Sequence, residues 1–209
     1  MGLKDVTIVY NIFYHLALWF AKLFFGYRVV YAERIPPTGG MILAVNHASY
    51  FDPPLAGVAC KRGVYYLARK SLLEWPFFGP LFPDMNVIPV ERDGNDRSAL
   101  KAVIRKINEG NGVVLFPEGT RSPDGELQPA HPGIGLIVAK TLAPVVPMRI
   151  FGAFQAFPRG AKGVKFCKIT VVVGEPIHFT AADIGEGTRE DYLRLSQRIM
   201  EAIGQLKLP

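Results

Sequence analysis

Hydrophobic and polar positions alternate along this chain in two rhythms, and the switches between them mark the elements. Residues 6–26 are mostly apolar and aromatic, broken only by Asn11, His15 and Lys22. Residues 41–45, 64–68, 86–90 and 113–116 are short apolar runs bounded by turn residues, which predicts buried strands. Residues 27–32, 145–150 and 168–174 read as strands on the same grounds. Between them, residues 96–108 place Leu100, Val103, Ile104 and Ile107 at a helical period, ended by Gly110 and Gly112. Pro53 opens a helix to about Lys61, since proline suits the first helical position. Residues 133–141 read as a helix. Residues 188–206 form a terminal amphipathic one, with Tyr192, Leu195, Ile199, Ala202, Ile203 and Leu206 along one side. Strands alternating with helices predict an α/β fold, with a mixed, mainly parallel sheet flanked by helices.

The leading segment is read apart from this domain: residues 1–26 as a membrane-associating helix, residues 27–209 as the catalytic domain. A span needs about 20 predominantly apolar residues, and this stretch barely reaches that with three polar interruptions. It lacks the basic start and small-residue cleavage site of a secretory signal. Its aromatics suit the headgroup zone, so an interfacial helix is expected. Packing on the domain's own core is the alternative.

Composition changes the picture slightly. Apolar residues make up 49% of the 209, and mean hydropathy is +0.18. Lysine and arginine number 24 against 18 acidic residues, a net charge of +6. Such a chain would suit anionic lipid, acidic metabolites or nucleic acid. Two cysteines, Cys60 and Cys167, form no disulfide framework and no metal spacing, and fit a reducing compartment.

The candidate chemistry lies in two motifs, each just beyond a predicted strand. In parallel sheets ligands bind outside such strand ends, so the two would meet in one crevice. The first is Asn46-His47-Ala48-Ser49-Tyr50-Phe51-Asp52. On a regular helix, His47 and Asp52 would point about 140° apart. They pair only if Ala48 to Phe51 form a turn, which Asp52-Pro53-Pro54 supports; otherwise Asp52 is only the N-cap of the next helix. Paired, the carboxylate would hold one ring nitrogen and leave the other free as a base. Ser49 lies in no nucleophile elbow, so the base would activate a substrate hydroxyl directly. The second motif is Phe116-Pro117-Glu118-Gly119-Thr120-Arg121-Ser122. Its arginine fork suits phosphate, unless Glu118 and Arg121 simply pair with each other. Arg69, after residues 64–68, and Arg92, after residues 86–90, are further cations beyond strands. Together they suggest one anionic pocket.

These residues resemble the glycerolipid acyltransferase family. Its N-H-x-x-x-x-D signature is matched by Asn46, His47 and Asp52. Its F-P-E-G-T-R-S block is matched throughout at residues 116–122. The block between them corresponds to residues 87–92, and the proline-centred fourth block to Val145-Val146-Pro147-Met148. The resemblance implies acyl transfer from a coenzyme A or acyl carrier protein thioester to the hydroxyl of 1-acylglycerol-3-phosphate. His47 would be the general base and Asp52 its orienter. Asn46, Arg69, Arg92, Glu118, Gly119, Thr120 and Arg121 would shape the acceptor site. No metal or resident cofactor is implied. The partners would be a bilayer, a lysophospholipid and the thioester carrier, not nucleic acid, at the cytoplasmic face of a membrane, peripheral or monotopic. Glycerol-3-phosphate, another lysolipid or an amino-acid lipid remain as acceptors, and a non-catalytic lipid-binding module remains as a different class. The segment Ala130-His131-Pro132-Gly133 lacks the lysine that relatives often carry there, and His131 reads as a surface loop residue.

Overall fold

The computed structural model of the chain describes residues 2–76, 79–91 and 96–209. Helix α1 (Ile8–Phe25) leads, capped by Thr7, whose hydroxyl accepts from the N–H of Tyr10, and ended by Gly26 in the left-handed region. Then follow β1 (Arg28–Val30), β2 (Met41–Val45), α2 (Asp52–Ala59), β3 (Val64–Arg69) and β4 (Val87–Val90). Next come α3 (Arg97–Asn108), β5 (Gly112–Leu115), α4 (Pro132–Thr141) and β6 (Val145–Phe151). The short α5 (Ala153–Ala156), β7 (Thr170–Val173), the short α6 (Ala181–Ile184) and α7 (Arg189–Gln205) complete it.

The strands form one seven-stranded sheet in the order β1-β7-β6-β2-β5-β3-β4. From β6 to β4 all neighbours are parallel. β7 runs antiparallel to β6 and carries β1 parallel to itself. The C-terminal ends of β6, β2, β5, β3 and β4 therefore share one edge with the N-terminal ends of β7 and β1. That edge carries both motifs: Asn46-His47 after β2, and Phe116 to Ser122 after β5, its hydrogen-bonded neighbour.

Alternation along β2 divides the core into two layers. Met41, Leu43 and Val45 join α1 and α2 on one face. Ile42 and Ala44 join α3, α4 and α7 on the other. The predicted stripe of α7 is the buried one: Leu195, Ile199 and Ile203 are fully enclosed. α7 approaches α4 so closely that a Cβ on Gly135 would lie 1.9 Å from the Tyr192 carbonyl oxygen. The freed space admits Ser196, whose hydroxyl accepts from the Gly135 N–H at 3.0 Å.

The leading helix has two apolar faces. Tyr10, Tyr14, Ala21 and Phe25 are buried in the same core layer as β2. The Tyr14 hydroxyl donates to the Cys60 carbonyl at 3.0 Å, and the Tyr10 hydroxyl accepts from the Val64 N–H at 3.1 Å. The opposite face exposes Ile8, Ile12, Leu16, Trp19 and Leu23. The core-packed reading of this segment therefore holds for its inner face, while its outer face stays apolar and exposed. Among the described residues, Ile8–Phe25 is the one helix long and apolar enough to cross a membrane, with mean hydropathy 1.4.

Candidate active site

Asn46, the first residue after β2, is buried. Its side-chain oxygen accepts from the Ile150 N–H at 2.7 Å, and its amide nitrogen donates to the Ile150 carbonyl at 3.4 Å. Both ends of the amide are spent on β6, so Asn46 fixes where the chain leaves the sheet.

The next residues turn rather than continue as helix. Asp52 folds back under this turn. Its Oδ2 accepts from the N–H groups of Ala48 and Ser49, each at 2.6 Å, and lies 2.9 Å from His47 Nδ1. Its carboxylate therefore serves the preceding turn and not the N–H groups of α2, which overturns the capping alternative. Asp52 is sealed at 0% exposure while the His47 side chain keeps 17%. The pattern assigns the Nδ1–H tautomer and leaves the Nε2 lone pair free. Asp52 Oδ1 is buried without a donor among the described residues. An unsatisfied buried oxygen costs about 1–3 kcal/mol.

Strand β5 delivers the second loop. Phe116 stacks on the His47 ring, with centroids 4.0 Å apart and planes 19° apart. The chain then turns through Pro117 and Glu118 to Gly119, whose φ of +69° favours glycine. Glu118 is buried, and its carboxylate bridges the loops: Oε1 accepts from the His47 N–H at 2.7 Å, Oε2 from the Gln128 N–H at 3.1 Å. The Ser122 N–H donates to the His47 carbonyl at 2.7 Å. The His47 backbone is thus held at both its N–H and its carbonyl, and its ring is stacked on one face, by the loop that the sequence places seventy residues away. Burial pushes the Glu118 carboxyl up to about 7, against the two N–H groups that favour its ionised form.

Arg121 does not pair with Glu118. Its guanidinium carbon lies over the Tyr50 ring, 3.7 Å from the centroid, half-buried beside the His47 turn. This leaves the edges of the fork available to an anion. Thr120 and Gly119 are exposed at the loop tip. Arg69 sits exposed at the end of β3, on the same sheet edge and one strand beyond β5. Arg92 lies outside the described residues. His131 is exposed and donates its N–H to the Pro117 carbonyl at 2.8 Å. Its ring stands against Gly119, where a Cβ would come within 3.3 Å, so it buttresses the second loop.

Four supporting residues escape sequence reasoning. Tyr50 lies beneath Arg121, Phe116 stacks on the His47 ring, and Gln128 completes the hold on Glu118. The Phe157 carbonyl accepts from both the Ser49 hydroxyl, at 2.8 Å, and the Tyr50 N–H, at 3.2 Å. Tyr50 and Phe116 carried a signal, through their places in the two motifs.

Comparison with known proteins follows the same residues. A family model described as Acyltransferase matches residues 27–151, which include both loops. The 1-acyl-sn-glycerol-3-phosphate acyltransferase of Bacillus subtilis is 29% identical over 187 residues, covering 87% of this chain and 90% of that protein. A chloroplastic 1-acyl-sn-glycerol-3-phosphate acyltransferase of Brassica napus is 30% identical over 156 residues, 73% of this chain but 45% of that one. The crystal structure of the 1-acyl-sn-glycerophosphate acyltransferase PlsC from Thermotoga maritima aligns with a TM-score of 0.72 at 26% identity. That alignment covers 99% of this chain and 81% of the other. With both signature loops meeting at one imidazole inside the matched region, the chain belongs to the acyltransferase family.

Proposed function

We propose that the chain transfers an acyl group from a coenzyme A or acyl carrier protein thioester to the free hydroxyl of 1-acylglycerol-3-phosphate, yielding phosphatidic acid. The observation that carries this reading is the 2.9 Å contact between His47 Nδ1 and the sealed Asp52, which leaves Nε2 without a partner among the described residues, in a turn whose Tyr50 carries Arg121. The acceptor class is supported by the activities for which its relatives are named and by the Arg121 fork.

In this scheme Nε2 takes the proton of the attacking hydroxyl as the oxygen bonds to the thioester carbonyl carbon. The tetrahedral oxyanion then collapses, the carbon–sulfur bond breaks, and the imidazolium returns the proton to the leaving thiolate. Base assistance of this kind is worth about 10²–10⁴ in rate. Every N–H from His47 to Asp52 is already spent within the protein. Donors for the oxyanion are therefore sought in the second loop, where the N–H groups of Thr120 and Arg121 carry no bond to a described residue. The scheme needs no cofactor beyond the thioester co-substrate.

The exposed apolar face of α1 supports peripheral or monotopic attachment to a bilayer. The thioester donors and the two free thiols favour its cytoplasmic side. The decisive assay crosses several acyl-coenzyme A lengths and an acyl carrier protein donor with lysophosphatidic acid, glycerol-3-phosphate and neutral lysolipids. Thiol release that depends on lysophosphatidic acid is expected; release that depends on a neutral lysolipid alone would overturn the acceptor assignment.

A further inference from the structure

A second cationic feature lies on the same sheet edge, beyond β6, and shares no residue with the His47 or Arg121 loops. It is a cavity of about 630 Å³ whose lining includes Arg28, Gln155, Cys167, Lys168 and Thr170, with Leu208 at its rim. Arg28 uses only its Nε, which donates to the Thr170 hydroxyl at 3.0 Å. The two terminal nitrogens of its fork are left over. Neither Arg28 nor Lys168 forms an ion pair with a described carboxylate, and no acidic residue lines the cavity.

The surroundings fit a lipid surface. Residues 151–174 contain Arg159, Lys162, Lys165 and Lys168 and no aspartate or glutamate, and residues 6–32 also contain no acidic residue. Within this basic loop Phe166 is 65% exposed. It nevertheless stacks on Phe24 of α1, with centroids 5.3 Å apart and planes 27° apart. Phe166 and Val164 thereby extend the apolar face of α1 that carries Trp19 and Leu23. The cavity opens beside Gly26, where that helix ends.

Resting on the bilayer attachment proposed above, we propose that this cavity binds the phosphate of an anionic bilayer lipid, apart from the acceptor site. Arg28 grips the phosphate oxygens with its free fork and Lys168 supplies a second charge. The Phe166 loop enters the headgroup layer beside α1. The partner is a membrane rich in anionic phospholipid, because a cluster of basic residues gains about 1 kcal/mol per charge near such a surface and exposed aromatics favour its interface.

The test is sedimentation with vesicles of phosphatidylcholine alone and with added phosphatidylglycerol. Wild type is expected to prefer the anionic vesicles. Arg28→Gln with Lys168→Gln should lower binding to anionic vesicles roughly thirtyfold and leave binding to neutral vesicles unchanged. An unaltered anionic preference would overturn the proposal. Arg28→Lys keeps the charge and loses the fork, so it too should lose most of the preference. Full retention by Arg28→Lys would reduce the site to diffuse attraction and overturn it. Inorganic phosphate, compared with chloride at matched ionic strength, should not displace the protein; displacement would assign the cavity to free phosphate instead. Turnover of detergent-dispersed lysophosphatidic acid should be wild-type in all three proteins. Its absence in the wild type would count against the proposed reaction while leaving the vesicle result to judge the cavity.

Discussion

Asp52 Oδ2 lies 2.9 Å from His47 Nδ1 while it also accepts from the N–H groups of Ala48 and Ser49. One buried oxygen thus sets the shape of the turn and the tautomer of the base together. Asp52→Asn should therefore fail, since its amide oxygen can replace Oδ2 on the turn only by burying the amide nitrogen at the partnerless Oδ1 place, and the negative charge beside the imidazole is lost. Thiol release is expected to fall on the order of 10⁴-fold, with a lower melting temperature. Near-normal turnover would mean that another group orients the ring.

His47→Ala should abolish thioester consumption without detaching the protein from vesicles, because the imidazole touches neither face of α1. Thiol release and sedimentation measure the two properties separately. Wild-type-like turnover would remove His47 from the role of base.

The Glu118 clamp has a pH signature. Burial lifts its carboxyl from the usual 4.5 to about 7, so the folded protein holds this proton to higher pH than the unfolded chain. The linked stabilisation is complete below about 4.5 and is lost as pH rises to about 7, a difference on the order of 3 kcal/mol. Urea titrations across that range should show stability declining with pH in the wild type, and a flatter profile in Glu118→Gln. The variant also turns a donor toward one of the two N–H groups, so activity at neutral pH should drop about 10- to 100-fold. An unchanged slope in the variant would assign the titration elsewhere.

Arg121→Ala should raise KM for a phosphate-bearing acceptor roughly ten- to a hundredfold, with a smaller effect on the thioester. Tyr50→Leu, which removes the ring beneath the guanidinium, should move KM in the same direction by less. Equal acceptor KM in Arg121→Ala and wild type would exclude Arg121 as the phosphate ligand.

The two faces of α1 are separable by substitution. Leu16→Glu with Trp19→Glu changes only exposed positions, and should lower vesicle binding while leaving the melting temperature in place. Phe25→Ala, on the buried face, should cost about 3–5 kcal/mol. Removal of residues 1–26 would confound these effects, since the inner face belongs to the core. Retained sedimentation of the double variant would show that this face does not meet lipid.

Much of this architecture is readable from local pattern. β2 is predicted at its observed bounds because five consecutive apolar residues between turns have no other place than a buried strand. α3 follows from its 3.6-residue period and from Asp96, whose side chain accepts from the N–H groups of Ser98 and Ala99. The antiparallel setting of β7 carries no local signal, because strand direction is fixed by pairing across the sheet. Within the site, the short spacing of His47 and Asp52 makes their pairing legible. The reach of Glu118 across seventy-one residues to the His47 N–H is not, nor is the seat of Arg121 on Tyr50, since both arise only when β2 and β5 lie side by side.

The contact of Phe25 with Phe51, centroids 5.4 Å apart, joins the leading helix to the residue that immediately precedes Asp52. The amino-terminal segment is consequently a brace for the turn that seats the proposed base and not an interchangeable address label. A chimera that borrowed another protein's leader is expected to disturb that turn along with gaining its new destination.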